Sequence, residues 1–263
     1  MMDYYSRPRQ LLRRAKRILY PRRCPFCDRA LGSGTALCLR CGPKVQQLRR
    51  QPGMRLHPEQ HYLGGLSGAA APFRYEGCVR HAILHAKYQG APWTAVELGV
   101  LLAREAFGSE IRMAGTEPLP QKVEGARMGY DCIMPVPPSN QKRGYNVPEL
   151  IALPLARALG LPLETDILYY TRKKQRQAGL AFEQRLANVA GALAVRDPET
   201  LEGRRVLLVD DVITTGATVA ACAQALLAAG AESVFAVSVA TVEREKVPDG
   251  AEIPDEAEKY DDF

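Results

Sequence analysis

Val206-Leu207-Leu208-Val209-Asp210-Asp211-Val212-Ile213-Thr214-Thr215-Gly216-Ala217-Thr218 is the most informative stretch of this 263-residue chain. Four apolar residues in a row read as a strand buried on both faces, and two carboxylates end it. A short run of hydroxyl residues and glycine then leads directly into a helix expected over Thr218 to Ala229 and ended by Gly230. Backbone N–H groups at a helix N-terminus, added to the helix dipole, attract an anion, and the Thr hydroxyls supply further donors to phosphate oxygens. Gly216 lets the backbone approach a phosphate closely. Two acids repel that same phosphate. They suit neighbouring ribose hydroxyls or a magnesium ion, so the pattern implies a ligand with a 5-phosphate at one end and free hydroxyls about one sugar ring away. A plain strand-turn-helix with a cap at Thr218 explains the hydroxyl but neither the Asp pair nor the doubled Thr. Gly-x-x-x-x-Gly-Lys-Ser/Thr and Gly-x-Gly-x-x-Gly are both absent from the sequence.

Working outward, the surrounding pattern alternates strands and helices. Strands are expected at Asp131 to Val136, near Glu164 to Tyr170, around Gly191 to Val195, at Arg205 to Asp210 and at Ser233 to Thr241. Helices are expected at Val79 to Lys87, Trp93 to Phe107 and Pro148 to Leu159. Polar residues fill Gly108 to Tyr130. Such alternation argues for an α/β fold with a parallel sheet covered on both faces, which places ligand crevices at the carboxyl ends of the strands.

The N-terminal part is of another kind. Cys24-Pro25-Phe26-Cys27 is followed, after ten intervening residues, by Cys38-Leu39-Arg40-Cys41. Two intervening residues let both thiolates of one tight turn face a single ion, and two such turns complete a tetrahedral zinc site. A segment of about 22 residues with little core gains its stability from such an ion, and four ligands leave no open position, so the zinc is structural. Cys78, Cys132 and Cys222 sit in apolar contexts and read as packed thiols. The histidine pairs His57/His61 and His81/His85 lack the metalloprotease Glu and read as ordinary surface or core residues.

Composition bounds the rest. With 46% hydrophobic and 24% charged residues the chain is of ordinary globular type. It has neither an apolar run long enough to span a membrane nor the apolar core of a secretory signal, so a cytoplasmic location is expected, where thiols stay reduced. The net charge of +6 hides a gradient: residues 1–50 hold 13 Lys/Arg against Asp3 and Asp28, a balance of +11, while the other 213 residues, with 22 Lys/Arg and 27 Asp/Glu, carry −5. A polyanion partner would meet the basic head; a solvated charged surface is the plainer reading. Four units are expected: a basic amphipathic helix within 1–21, the zinc module over 22–50, the α/β domain over 60–242, and an acidic flexible tail over 243–263 with nine Asp/Glu against three Lys/Arg.

Val206 to Thr218 resembles the phosphoribosyl pyrophosphate (PRPP) signature of type I phosphoribosyltransferases. Together with the Cys pairs, Pro135-Val136-Pro137 and Arg143-Gly144-Tyr145-Asn146, the chain is similar to the ComF family of competence-associated proteins over roughly Leu12 to Val242. That resemblance implies that Asp210 and Asp211 contact the ribose 2- and 3-hydroxyls and that Thr214, Thr215, Gly216, Ala217 and Thr218 hold the 5-phosphate. It makes the turn after Asp131 to Val136, with Pro137, the pyrophosphate loop. Thr171 to Asn188 falls where these enzymes carry a mobile flap, and Arg172, Lys173, Lys174 and Arg176 would bring positive charge to the leaving group. Lys87-Tyr88 matches a Lys-containing motif. The family commonly has Gln after Arg-Gly-Phe-Asn, whereas here Tyr145 replaces the aromatic residue and Val147-Pro148 follows. The implied cofactors are structural zinc and magnesium carried with PRPP. Implied partners are PRPP and, through the basic head, single-stranded DNA or a competence helicase. Two functions follow: magnesium-dependent phosphoribosyl transfer to an acceptor the sequence does not name, or a non-catalytic adaptor in DNA uptake that uses the PRPP fold as sensor or scaffold. A third reading makes the head a docking surface for a protein or an anionic membrane.

Overall fold

The computed structural model describes residues 22–32, 35–51, 53–108, 111–112, 121–123, 129–138, 143–171 and 192–243. The helix expected within 1–21 and the tail after 243 lie outside them.

In chain order the elements are α1 (Gly42–Gln47), β1 (Gly68–Ala70), β2 (Phe73–Arg74), α2 (Gly77–Tyr88), α3 (Pro92–Phe107), β3 (Ile111–Arg112), β4 (Gln121–Lys122), β5 (Cys132–Pro135), α4 (Val147–Leu159), β6 (Leu168–Tyr170), β7 (Leu193–Val195), β8 (Arg205–Ile213), α5 (Ala217–Ala228) and β9 (Ser233–Thr241). The main sheet runs β1/β2-β9-β8-β5 and every pairing in it is parallel. Its carboxyl ends therefore share one edge, which gathers the ends of β5, β8 and β9.

Alternation along β8 explains the two-sided core. Leu207 and Val209 face a cluster with α2, α3 and α4, whereas Val206 and Leu208 face α5 with Cys222, Ala223 and Leu226. Side chains of one strand point alternately to opposite faces, so four consecutive apolar residues are needed when helices cover both. The strand continues to Ile213, three residues past its expected end at Asp210, because Val212 and Ile213 still pair with Ala240 and Thr241 of β9. Asp131 and Arg205 set the register at the other end. The Asp131 carboxylate accepts from the Arg205 backbone N–H at 2.9 Å and from its guanidinium at 3.0 Å. These hydrogen bonds hold the Asp131 carboxyl down at about 2.

The region near Glu164 to Tyr170 divides. Ile133 donates to Pro162 O and Glu164 donates to Ile133 O, both at 2.9 Å, at the sheet edge, whereas Leu168–Tyr170 pairs antiparallel with β7. Within the polar stretch Gly108 to Tyr130, β3 and β4 form an antiparallel pair. On the other face α3 and α4 touch closely: a Cβ at Gly99 would overlap the Ile151 carbonyl oxygen, with Pro154 Cγ at 2.6 Å. Alanine at position 99 is expected to separate the helices and cost about 2 kcal/mol, the range for overpacking a core. Chemical denaturation checks this, and wild-type stability in that variant would contradict the contact.

Candidate functional site

The twin acids at the end of β8 are not equivalent. Asp211 is buried, and its carboxylate meets the Lys87 ammonium at 2.9 Å. Burial works against the Lys87 charge, but the Asp211 carboxylate, reinforced by Asp210, outweighs it and raises the ammonium above its ordinary value. Asp210 is half-buried, and its Oδ1 accepts the Asp211 backbone N–H at 2.8 Å. Lys87 and Tyr88 end α2, so a helix from another part of the chain delivers the counter-charge. Tyr75 lies in electrostatic range of Lys87 and Asp211, with its phenol pushed up by burial. Tyr170, at the end of β6, is also raised by burial and feels the Asp210 charge.

The turn after β8 is shaped by one residue. Gly216 has φ +85° and ψ −10°, in the left-handed region that favours glycine. A Cβ there would overlap the Tyr62 carbonyl oxygen and stand 3.2 Å from the Tyr62 nitrogen. The Tyr62 N–H in turn donates to Thr215 O at 2.8 Å. Thr214 is exposed and Thr215 and Thr218 are half-buried, so hydroxyls remain within reach of solvent. The helix cap differs from the plain alternative: Thr215 Oγ1, and not Thr218, accepts from a first-turn amide, Ala217 N–H, at 3.3 Å.

Beside this turn, Pro137 is buried in the loop that follows β5. Arg143-Gly144-Tyr145-Asn146 joins that loop to the end of α2. The Asn146 amide donates to Val136 O at 2.9 Å, and the Tyr145 hydroxyl donates to Ala86 O at 2.8 Å, one residue before Lys87. A phenylalanine at 145 would lack this second bond, which gives the departure from Arg-Gly-Phe-Asn a physical role. Arg143 stands over the Tyr88 ring at 5.4 Å. The structure thus brings Lys87, Tyr88, Asp210, Asp211, Pro137 and the turn Thr214 to Thr218 to one edge. Arg172, Lys173, Lys174 and Arg176 lie outside the described residues. Sequence reading missed Tyr62, Tyr75 and Tyr170, because none carries a local motif.

The four cysteines do converge. The Sγ atoms of Cys24, Cys27, Cys38 and Cys41 all lie within 4.8 Å of one another, and Cys27 to Cys38 is 3.5 Å. Bonds of about 2.3 Å in a tetrahedron require sulfurs about 3.8 Å apart, so four thiolates here fit zinc. Burial pushes the Cys24 and Cys41 thiols up. At Cys38 burial is outweighed by the Cys41 amide and the neighbouring thiols, leaving it at about 7. Of the other cysteines, Cys132 and Cys222 are buried and Cys78 is half-buried. The module is bound to α3: Ala36 and Val45 join the core cluster, Phe26 and Leu37 pack against it, and Arg22 pairs with Glu97 at 2.5 Å. Replacing Cys27 by serine is expected to drop zinc content from one per chain to none, read by elemental analysis, and to loosen the module. Structural zinc contributes roughly 10–16 kcal/mol in small modules. Retained zinc in Cys27→Ser would refute the assignment.

A parallel sheet flanked by helices, with twin acids and a glycine turn at its carboxyl edge, defines the type I phosphoribosyltransferase fold, here carrying a four-Cys module. The phosphoribosyl transferase domain family matches residues 149–257. DNA utilization protein YhgH of Escherichia coli strain K12 is 30% identical over 213 residues, 80% of this chain and 86% of that protein. Competence protein F of Haemophilus influenzae is 37% identical over 109 residues, 40% of this chain and 47% of that one. Orotate phosphoribosyltransferase of Pyrococcus furiosus is 41% identical over 85 residues, covering 32% and 40%. The chain belongs to the ComF/YhgH family. Among the described residues, no helix is long and apolar enough to cross a membrane.

Proposed function

We propose that this protein binds PRPP at the carboxyl edge of β8 and acts in DNA utilisation or uptake in the cytoplasm. The observation that carries this reading is the Asp210/Asp211 pair followed within five residues by the Gly216 turn, with Lys87 on Asp211. In this reading the amides and hydroxyls of Thr214 to Thr218 hold the 5-phosphate. Asp210 takes the ribose hydroxyls, Asp211 shares them while held by Lys87, and the loop around Pro137 faces the pyrophosphate. Magnesium would be held with the pyrophosphate near these carboxylates and would supply charge neutralisation to the departing anion.

Where transfer occurs, the bond from ribose C1 to pyrophosphate breaks as C1 becomes oxocarbenium-like, and an acceptor nucleophile forms the new bond. Positioning and charge stabilisation do the catalytic work, so no covalent protein nucleophile is needed. Arg172 and Lys173 would steady the leaving group from the flap. Titrating PRPP with and without magnesium, followed by a pyrophosphate-release assay, tests both steps. Asp210→Asn with Asp211→Asn is expected to weaken PRPP affinity while the circular dichroism spectrum is unchanged; equal affinity would overturn the carboxylate roles.

The basic head supports a second reading, an adaptor that meets single-stranded DNA or a helicase. Arg23, Arg29, Arg40 and Lys44 are exposed on the four-Cys module. The names of the relatives, DNA utilization and competence proteins, point the same way. Phosphate contacts make DNA affinity fall steeply with salt. Binding that ignores salt, or survives charge reversal of those four residues, would count against it.

A further inference from the structure

We propose that His61 and Tyr62 are positioning residues that aim the turn between β8 and α5 at its anion, making residues 56–67 a strap across the site. This rests on the sugar-phosphate reading and names the part of the chain that sets its affinity. The strap is tied to the sheet at both ends, where Leu56 donates to Ala69 O and Ser67 donates to Val234 O, each at 2.8 Å. Between them a single turn, with His61 N–H on His57 O at 3.1 Å, presents His61 inward.

The hydrogen-bond directions can be assigned. Thr241 Oγ1 lies 2.7 Å from the Ile213 carbonyl, which only accepts, so the single hydroxyl hydrogen goes there. His61 Nε2, 2.8 Å from the same Oγ1, must therefore be the donor. His61 and Thr241 are both buried, so the relay is sheltered from water. One residue further on, the Tyr62 N–H holds Thr215 O at 2.8 Å. In a trans peptide the C=O and the following N–H point in opposite directions. Ile213 O is held toward β9 by the Thr241 hydroxyl, with the Val242 N–H also at 3.4 Å, which turns the Thr214 N–H the other way, and holding Thr215 O does the same for the Gly216 N–H. Tyr62 thus sets one turn amide directly and His61 supports the other through Thr241, while Gly216 packs against the Tyr62 backbone.

The test uses the full chain and calorimetric titration with ribose 5-phosphate and, separately, with magnesium pyrophosphate. His61→Leu and Thr241→Val are each expected to weaken ribose 5-phosphate binding roughly tenfold, the scale of one hydrogen bond. The double variant is expected to lose no more than the worse single, because the two residues form one relay. Thr241→Ser and His61→Gln, which keep a hydroxyl and a donor, are expected to recover most of the affinity, and pyrophosphate binding is expected to hold in all. Wild-type affinity in His61→Leu or Thr241→Val overturns the strap, as does a parallel loss of pyrophosphate binding, which marks general loosening. Should His61→Leu not fold, Thr241→Val against Thr241→Ser decides. Absence of ribose 5-phosphate and PRPP binding in the wild type overturns the sugar-phosphate reading itself, a result separable from a wild type that binds and variants that do not differ.

Discussion

Gly216→Ala is expected to abolish measurable PRPP binding, a loss of more than about a hundredfold, while the protein still folds with reduced stability. Two costs combine. An alanine in the left-handed region costs about 1–2 kcal/mol. Its Cβ also has to displace the Tyr62 carbonyl, which is backbone and cannot rotate aside. The turn can relieve this only by parting from Tyr62, which releases Thr215 O and redirects the Gly216 amide. A control separates the two causes: Gly203 has φ +65° with open space around its would-be Cβ, so Gly203→Ala is expected to lose about 1 kcal/mol of stability and no affinity. Calorimetric titration and thermal denaturation of both variants give the answer. If Gly216→Ala bound PRPP as the wild type does, the turn would not be the phosphate site.

Lys87→Met is expected to destabilise the fold by about 3 kcal/mol and to weaken PRPP binding. Removing one partner of a buried ion pair leaves the other charge without compensation, and the Asp211 side chain is only 8% exposed. Lys87→Met with Asp211→Asn should recover most of the stability without restoring PRPP affinity. Urea denaturation at neutral pH measures the effect; equal stability of Lys87→Met and wild type would show that the pair contributes nothing.

The strands and helices around the site were legible because their signals are local. Four apolar residues before Asp210, the alternation of elements, and the two Cys-x-x-Cys turns each lie within a few residues of one another. The observed bounds of α3, α4, α5 and β9 stay within one residue of the expected ones at nearly every end. The family resemblance marked Lys87, but nothing local tied it to Asp211 in place of the phosphate side. His61 illustrates the opposite limit. Paired by spacing with His57, it reads as an ordinary surface or core histidine, whereas its partner Thr241 is 180 residues away.

By itself the sequence determined the α/β class, the acid-turn-helix unit and the four-thiol site, since each depends on periodicity or on ligand spacing along a short segment. Tertiary structure alone decided which acid carries the lysine, which backbone packs against Gly216, and that the four-Cys module leans on α3 through Arg22 and Glu97. Those are contacts between segments brought together by the sheet and its helices, and side-chain chemistry does not record which distant partner burial will select.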